Sequence, residues 1–434
     1  MPRIAVPSLS HGEEKVEMMV KKTFPINGED KVHYCYTICP REAGIELYTI
    51  INTELAELNA YLDRVYTAYK KVYPKVTRPK LYVYLRDDNN IAPDGFTEGV
   101  NIYLSASIMF ALFEYVDEHI NHAAVDWEKL MPAPLKENLP LQIYDRLLKI
   151  VVSHELTHIW HCHIKWMKSA GMFGDAMTNC NQDDIFFEMV KAVETDGERV
   201  GEGYMPGIDN LVIKEGKIYC NSKEKSNYIQ QILEIDADCC AMSLVLNDLQ
   251  RDMASLAKLY VEEPEKHKKD INAVIACHRY LLGTVCGASA LMFGYFDRKR
   301  CERPFECLSK MLDEVHPIPA IRFLRMDAVM RQMVHERFED KEVERYLLDY
   351  TYIFAAQIFM DNGKTIDLKS CFWAPAMTEQ AQIMIAELQN GWNAIHDSLQ
   401  KSALMPLPGK FDPEELLVPN DLFWYDDKGN DIIP

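Results

Sequence analysis

The chain lacks an excess of basic charge: 47 Lys and Arg stand against 66 Asp and Glu in 434 residues, a formal net charge of −19. A surface that follows a polyphosphate backbone needs clustered cations, so nucleic acid is not expected as a partner. The opening run Met-Pro-Arg-Ile-Ala-Val-Pro lacks the long apolar core of a secretory signal. The twelve cysteines include the adjacent pair Cys239 and Cys240 and do not read as a disulfide framework. A cytoplasmic location with free thiols is the expectation. Cys35 and Cys39 have no second pair nearby and are read as thiols rather than as a metal site. No uncharged run reaches the roughly 20 residues of a membrane helix. Tyr280 to Phe296 comes closest, but it is rich in small residues and is read as a buried core helix, with membrane association as the lesser alternative.

What is present is ordinary globular material, 48% hydrophobic and 26% charged. The length exceeds one usual domain. Leu55, Leu58, Leu62 and Val65 recur at helical spacing between about 51 and 73. The runs Leu81 to Leu85 and Gly99 to Leu104 are β-branched and aromatic, and turn-forming residues lie between them. They predict a small antiparallel sheet. Ser105 is a plausible N-cap for a helix over 107–119. Further helices are expected over 141–170, with Gly171 as the stop, and over 228–249, 346–360 and 378–404. Phe354, Phe359, Met384 and Trp392 are read as core stripes of the last two. From Pro406 onward, Pro, acid and aromatic residues alternate, as in an extended tail that contacts a partner.

The chemistry concentrates at Ile150 to Trp160, which contains His154-Glu155-Leu156-Thr157-His158. On a helix, positions four apart lie about 40° apart around the axis and roughly 6 Å along it, so both imidazoles reach one ion. Glu155 points to the edge of that ion's open position, where a carboxylate can take a proton from water. The flanks Ile150-Val151-Val152 and Ile159-Trp160 are apolar, which buries the motif, and buried His and Glu need partners.

Two further pieces lie downstream. In Glu234-Ile235-Asp236-Ala237-Asp238, Glu234 and Asp238 share a helix face and Asp236 lies about 200° round. Glu234 fits as the third ligand of a zinc held by two histidines, and Asp238 as the acceptor that fixes a ligand's tautomer. His316-Pro317, followed by Arg322, offers an electrophilic group and a guanidinium that could anchor Asp236 or Asp238 or lie near an oxyanion. His161 returns to the ligand face seven residues after His154 and is read as supporting the ligands or lining the cleft. His163 falls on the opposite side of a continuous helix, as a packed histidine.

Together, His154, Glu155, His158, Glu234, Asp238, His316, Pro317 and Arg322 reproduce HExxH, ExxxD and HPx4R in order. The chain thus resembles the gluzincin metallopeptidases, above all the branch of the HtpX heat-shock peptidase and the CAAX-prenyl endopeptidase. It also resembles the phage-exclusion Lit-type peptidases. No glycine after His158 turns the chain, unlike the metzincin pattern. The resemblance implies an α+β, mainly helical fold with a zincin-like core and additional C-terminal helices. It implies one zinc per chain on His154, His158 and Glu234, with Glu155 as base and His316 beside the oxyanion. Asn90 and Ala92 would be a sheet edge that holds the substrate backbone. The expected organisation is an N-terminal extension over 1–50, a catalytic domain over 51–325 with a loop-rich insertion over 171–222, and a helical region over 326–434. The expected function is a zinc-dependent endopeptidase acting on a protein or peptide substrate through metal-activated water. A regulatory protein with a structural zinc and a non-peptidase zinc hydrolase are the alternatives.

Overall fold

In the computed structural model the described residues are 19–26, 29–36, 48–84, 95–98, 100–122, 139–169, 212–214, 217–219, 223–262, 271–297, 301–310, 316–337, 341–359 and 371–411. They are mainly helical. The strands β1 (Met19–Ile26), β2 (Glu29–Tyr36), β3 (Lys80–Tyr84), β4 (Gly95–Glu98) and β5 (Asn101–Ser105) form one sheet in the order β1-β2-β3-β5-β4. A second hairpin, β6 (Val212–Lys214) with β7 (Lys217–Tyr219), stands apart from it.

The expected antiparallel sheet is corrected. The strands read from the sequence as neighbours, β3 and β5, pair in parallel, with Tyr82 opposite Tyr103 and their rings stacked at 5.4 Å. The reason is β4. It pairs antiparallel with β5, so the chain reverses twice between β3 and β5 and returns in its original direction. The sheet is therefore mixed, since β1, β2 and β3 pair antiparallel in succession. Leu81, Tyr82 and Val83 are buried in sequence, as are Ile102 to Ser105, without the alternation of a half-solvated strand. Central parallel strands covered on both faces have this pattern.

Helix α1 (Tyr48–Val72) buries Leu55, Leu58, Leu62 and Val65, the stripe seen in the sequence. Helix α2 (Ala106–His122) leaves β5 directly, but Ser105 Oγ has no partner among the described residues, so the expected side-chain cap is not made. The motif helix is α3 (Leu139–Trp160), which packs on α1, α2 and β4. It ends ten residues before the end expected at 170. His161 and Cys162 form a turn, with Cys162 at φ 57°, and α4 (His163–Ser169) starts at once in a new direction. A left-handed residue commonly closes a helix and is usually glycine; here a cysteine takes that conformation.

Helix α5 (Lys223–Glu262) runs against α3. Helix α6 (Ile271–Phe296) contains the uncharged segment, and Leu282, Val285, Ala288 and Leu291 are fully buried in the core. Its small residues admit close neighbours: a Cβ on Gly287 would stand 2.7 Å from Ile358 Cδ1 and 3.0 Å from Phe354 Cε1. No helix among the described residues is long and apolar enough to cross a membrane.

Helix α7 (Pro319–Arg337) packs on α5 and α6, so the position 325/326 expected as a boundary lies inside a helix. Helix α8 (Lys341–Ile358) packs on α6, and α9 (Glu379–Gln400) on α5. Thr378 caps α9, its hydroxyl accepting from the Ala381 amide at 3.2 Å. Phe354, Met384 and Trp392 are buried core residues, as their spacing predicts. Residues 170–211, most of the expected insertion, and the tail from 412 lie outside the described residues.

Candidate metal centre

Three helices meet at the centre: α3 brings His154 and His158, α5 brings Glu234, and α7, entered through His316 and Pro317, brings Arg322. Nε2 of His154 lies 3.1 Å from Nε2 of His158. Glu234 Oε2 lies 3.3 Å from the first and Glu234 Oε1 3.5 Å from the second. A tetrahedral ion with bonds of about 2.0–2.1 Å separates its ligand atoms by about 3.3–3.4 Å, so this set fits one ion. These three residues could hold a metal ion.

The surroundings orient these three residues. His154 Nδ1–H donates to Asp238 Oδ1 at 2.9 Å, which turns Nε2 toward His158 and Glu234, where an ion could be held. Arg322 grips Asp238 with two prongs, Nε to Oδ2 at 2.6 Å and Nη2 to Oδ1 at 2.8 Å, and reaches Glu234 Oε2 at 3.5 Å. Of the two carboxylates considered for Arg322, Asp238 is the one bound. Burial pushes the Asp238 carboxyl up, but Arg322 and His154 hold it below the ordinary carboxylate range. Glu234 is likewise held well below that range against burial, by His316 and His154.

These carboxylates draw a cation. Burial opposes charge on His154, yet Glu234 and Asp238 push its imidazole up to about 10. The neighbouring His158 is driven well below the ordinary range, chiefly by burial. A metal held by both imidazoles would have to displace the proton that His154 carries.

Glu155 follows His154 on α3. Burial, opposed by the charge of His154 and assisted by that of Glu234, raises its carboxyl to about 7. A buried carboxyl beside two imidazoles has the chemistry of a general base, and a cation bound there would draw it back toward the ionised form. His316 is half exposed, and its Nδ1 lies 3.1 Å from Glu234 Oε2.

His161 is not a ligand of this set. Its Nδ1 lies 2.5 Å from Asp236 Oδ2, and its Nε2 lies 4.0 Å from Cys240 Sγ. His163 is buried, as expected of a packed histidine, but the side of the helix expected for it is corrected. The turn at Cys162 swings it back beside the motif, with Nδ1 3.0 Å from His158 Nδ1 and Nε2 3.0 Å from Asp236 Oδ2. Sequence reasoning missed this pair because a continuous helix would carry His163 away from His158. Asn90 and Ala92 lie outside the described residues. No family model, curated protein or solved structure matches the chain.

Proposed function

We propose that the protein is a zinc-dependent endopeptidase of the gluzincin type. The observation that carries the reading is the convergence of His154, His158 and Glu234 at mutual distances of 3.1, 3.3 and 3.5 Å, with Glu155 beside them. Two imidazoles and a carboxylate suit zinc with a position left for water or substrate. Bound there, zinc supplies a Lewis acid that acidifies water and polarises a carbonyl.

The chain's own groups then divide the work. Glu155, next to His154 on the same helix, takes the proton from the attacking water and returns it to the leaving amine. His316, half exposed beside Glu234, would donate toward the oxyanion as charge develops. Asp238 and Arg322 keep His154 in the tautomer that presents Nε2. Strand β4 lies at the edge of the sheet and packs against α3, so an extended peptide can add to it as a further strand. His161 would have made a closed, structural site as a fourth ligand; its bond to Asp236 instead favours the catalytic reading over the regulatory one.

The test compares the protein N-termini of cells expressing the wild-type chain and Glu155→Gln. New N-termini that depend on Glu155 are expected; identical sets in the two cultures contradict the endopeptidase reading.

A further inference from the structure

Asp236, His161 and His163 form a cluster with almost no solvent contact, their side chains 2%, 1% and 0% exposed. The chemistry described above does not use them. We propose that His163 and Asp236 are positioning residues for the metal centre, a two-residue relay that holds His158 in the tautomer and ring orientation needed to bind the ion. The inference rests on the reading that His158 is a ligand.

The proton arrangement is set by the contacts. His158 must present the Nε2 lone pair to the ion, since that atom faces His154 Nε2 and Glu234 Oε1. Its proton is then on Nδ1, which donates to His163 Nδ1 at 3.0 Å. His163 therefore carries its own proton on Nε2, which donates to Asp236 Oδ2 at 3.0 Å. His161 donates from Nδ1 to the same oxygen and fixes the carboxylate from its other side. Each step leaves one assignment for the next.

The two ligand histidines are thus supported in different ways from one helix. His154 has Asp238 directly, whereas His158 reaches Asp236 through an inserted imidazole. Asp236 lies between Glu234 and Asp238 in sequence, and it is met by His161 and His163, which flank Cys162 at the turn after α3.

The same three residues could also be read as a second metal site. The distances argue against it. Asp236 Oδ2 and His161 Nδ1 are 2.5 Å apart, too close for two ligands of one tetrahedral ion at about 3.3 Å, and the contact is a short hydrogen bond. Cys240 approaches the opposite ring nitrogen of His161, so it cannot complete the same coordination sphere.

The experiment measures zinc affinity of the full chain by competition with a chromophoric chelator, for wild type, His163→Leu, His163→Gln and Asp236→Asn. The visible spectrum of each cobalt-substituted protein is recorded alongside. Removing a partner behind a metal ligand typically costs about 10–100-fold in affinity. His163→Leu is expected to lose that much and to shift the cobalt bands. His163→Gln should stay within about threefold of wild type, because its amide both accepts from His158 and donates to Asp236. Asp236→Asn, which preserves volume, should fall about tenfold and covers the case in which His163→Leu does not fold. Wild-type affinity in His163→Leu overturns the relay, as does equal loss in the Leu and Gln variants with Asp236→Asn unchanged. A wild-type chain that takes up no zinc instead overturns the metal centre itself.

Discussion

Asp238 Oδ1 accepts from Nδ1 of His154 at 2.9 Å while Arg322 holds both oxygens of the same carboxylate. The link ties a candidate ligand on α3 to α5 and, through Arg322, to α7. Three segments far apart in sequence are thereby locked around one point.

Breaking that link should cost stability as well as metal. Asp238 is fully buried and Arg322 nearly so, and removing one partner of a buried pair leaves an uncompensated charge. Asp238→Ala is expected to lower unfolding stability by about 3–5 kcal/mol in urea titrations. Loss of Asp238 together with Arg322→Met should recover part of it.

Glu54 offers a pH test away from the centre. It is buried between α1 and α3, and Oε2 has no partner among the described residues. Burial first, and then the charge of Asp145, raise its carboxyl from 4.5 to about 8, against Lys149 and Arg146. The folded chain therefore keeps a proton that the unfolded chain releases above about 4.5, and stability falls as pH rises from there to about 8. Glu54→Gln should flatten that slope and raise stability at pH 8 by on the order of 2 kcal/mol, with little change at pH 4. Urea unfolding at the two pH values measures both.

Gly391 tests the docking of the last helix. A Cβ there would collide with Ile232 Cδ1 and come within 2.9 Å of Tyr228 Oη, both on the helix that carries Glu234. Gly391→Ala is expected to cost about 1–2 kcal/mol despite alanine's better helix propensity, read as a lower Tm. A gain in Tm would mean that α9 and α5 approach less closely than described.

The part of the centre legible in the sequence is the part written in helical spacing. His154 with His158, and Glu234 with Asp238, are pairs four apart, and such pairs share a helix face whatever the rest of the chain does. Their apolar flanks announced burial, and the structure buries Val152, Leu156 and Ala237. The relay was not legible because it depends on one backbone angle. Cys162 turns left-handed without glycine, and nothing in its side chain announces that. The parallel pairing of β3 and β5 escaped for a similar reason: β4 is a four-residue strand, Gly-Phe-Thr-Glu, too short to read as a strand, yet it sets the direction in which β5 runs.

The central claim is that Glu155 moves a proton at a zinc held by other residues. The most direct measurement is peptide hydrolysis and elemental zinc content of purified wild type and Glu155→Gln, side by side. The account predicts about one zinc per chain in both, with hydrolysis lost only in the variant. Undiminished hydrolysis by a zinc-loaded Glu155→Gln, or a wild-type chain without zinc that still cleaves, would contradict it.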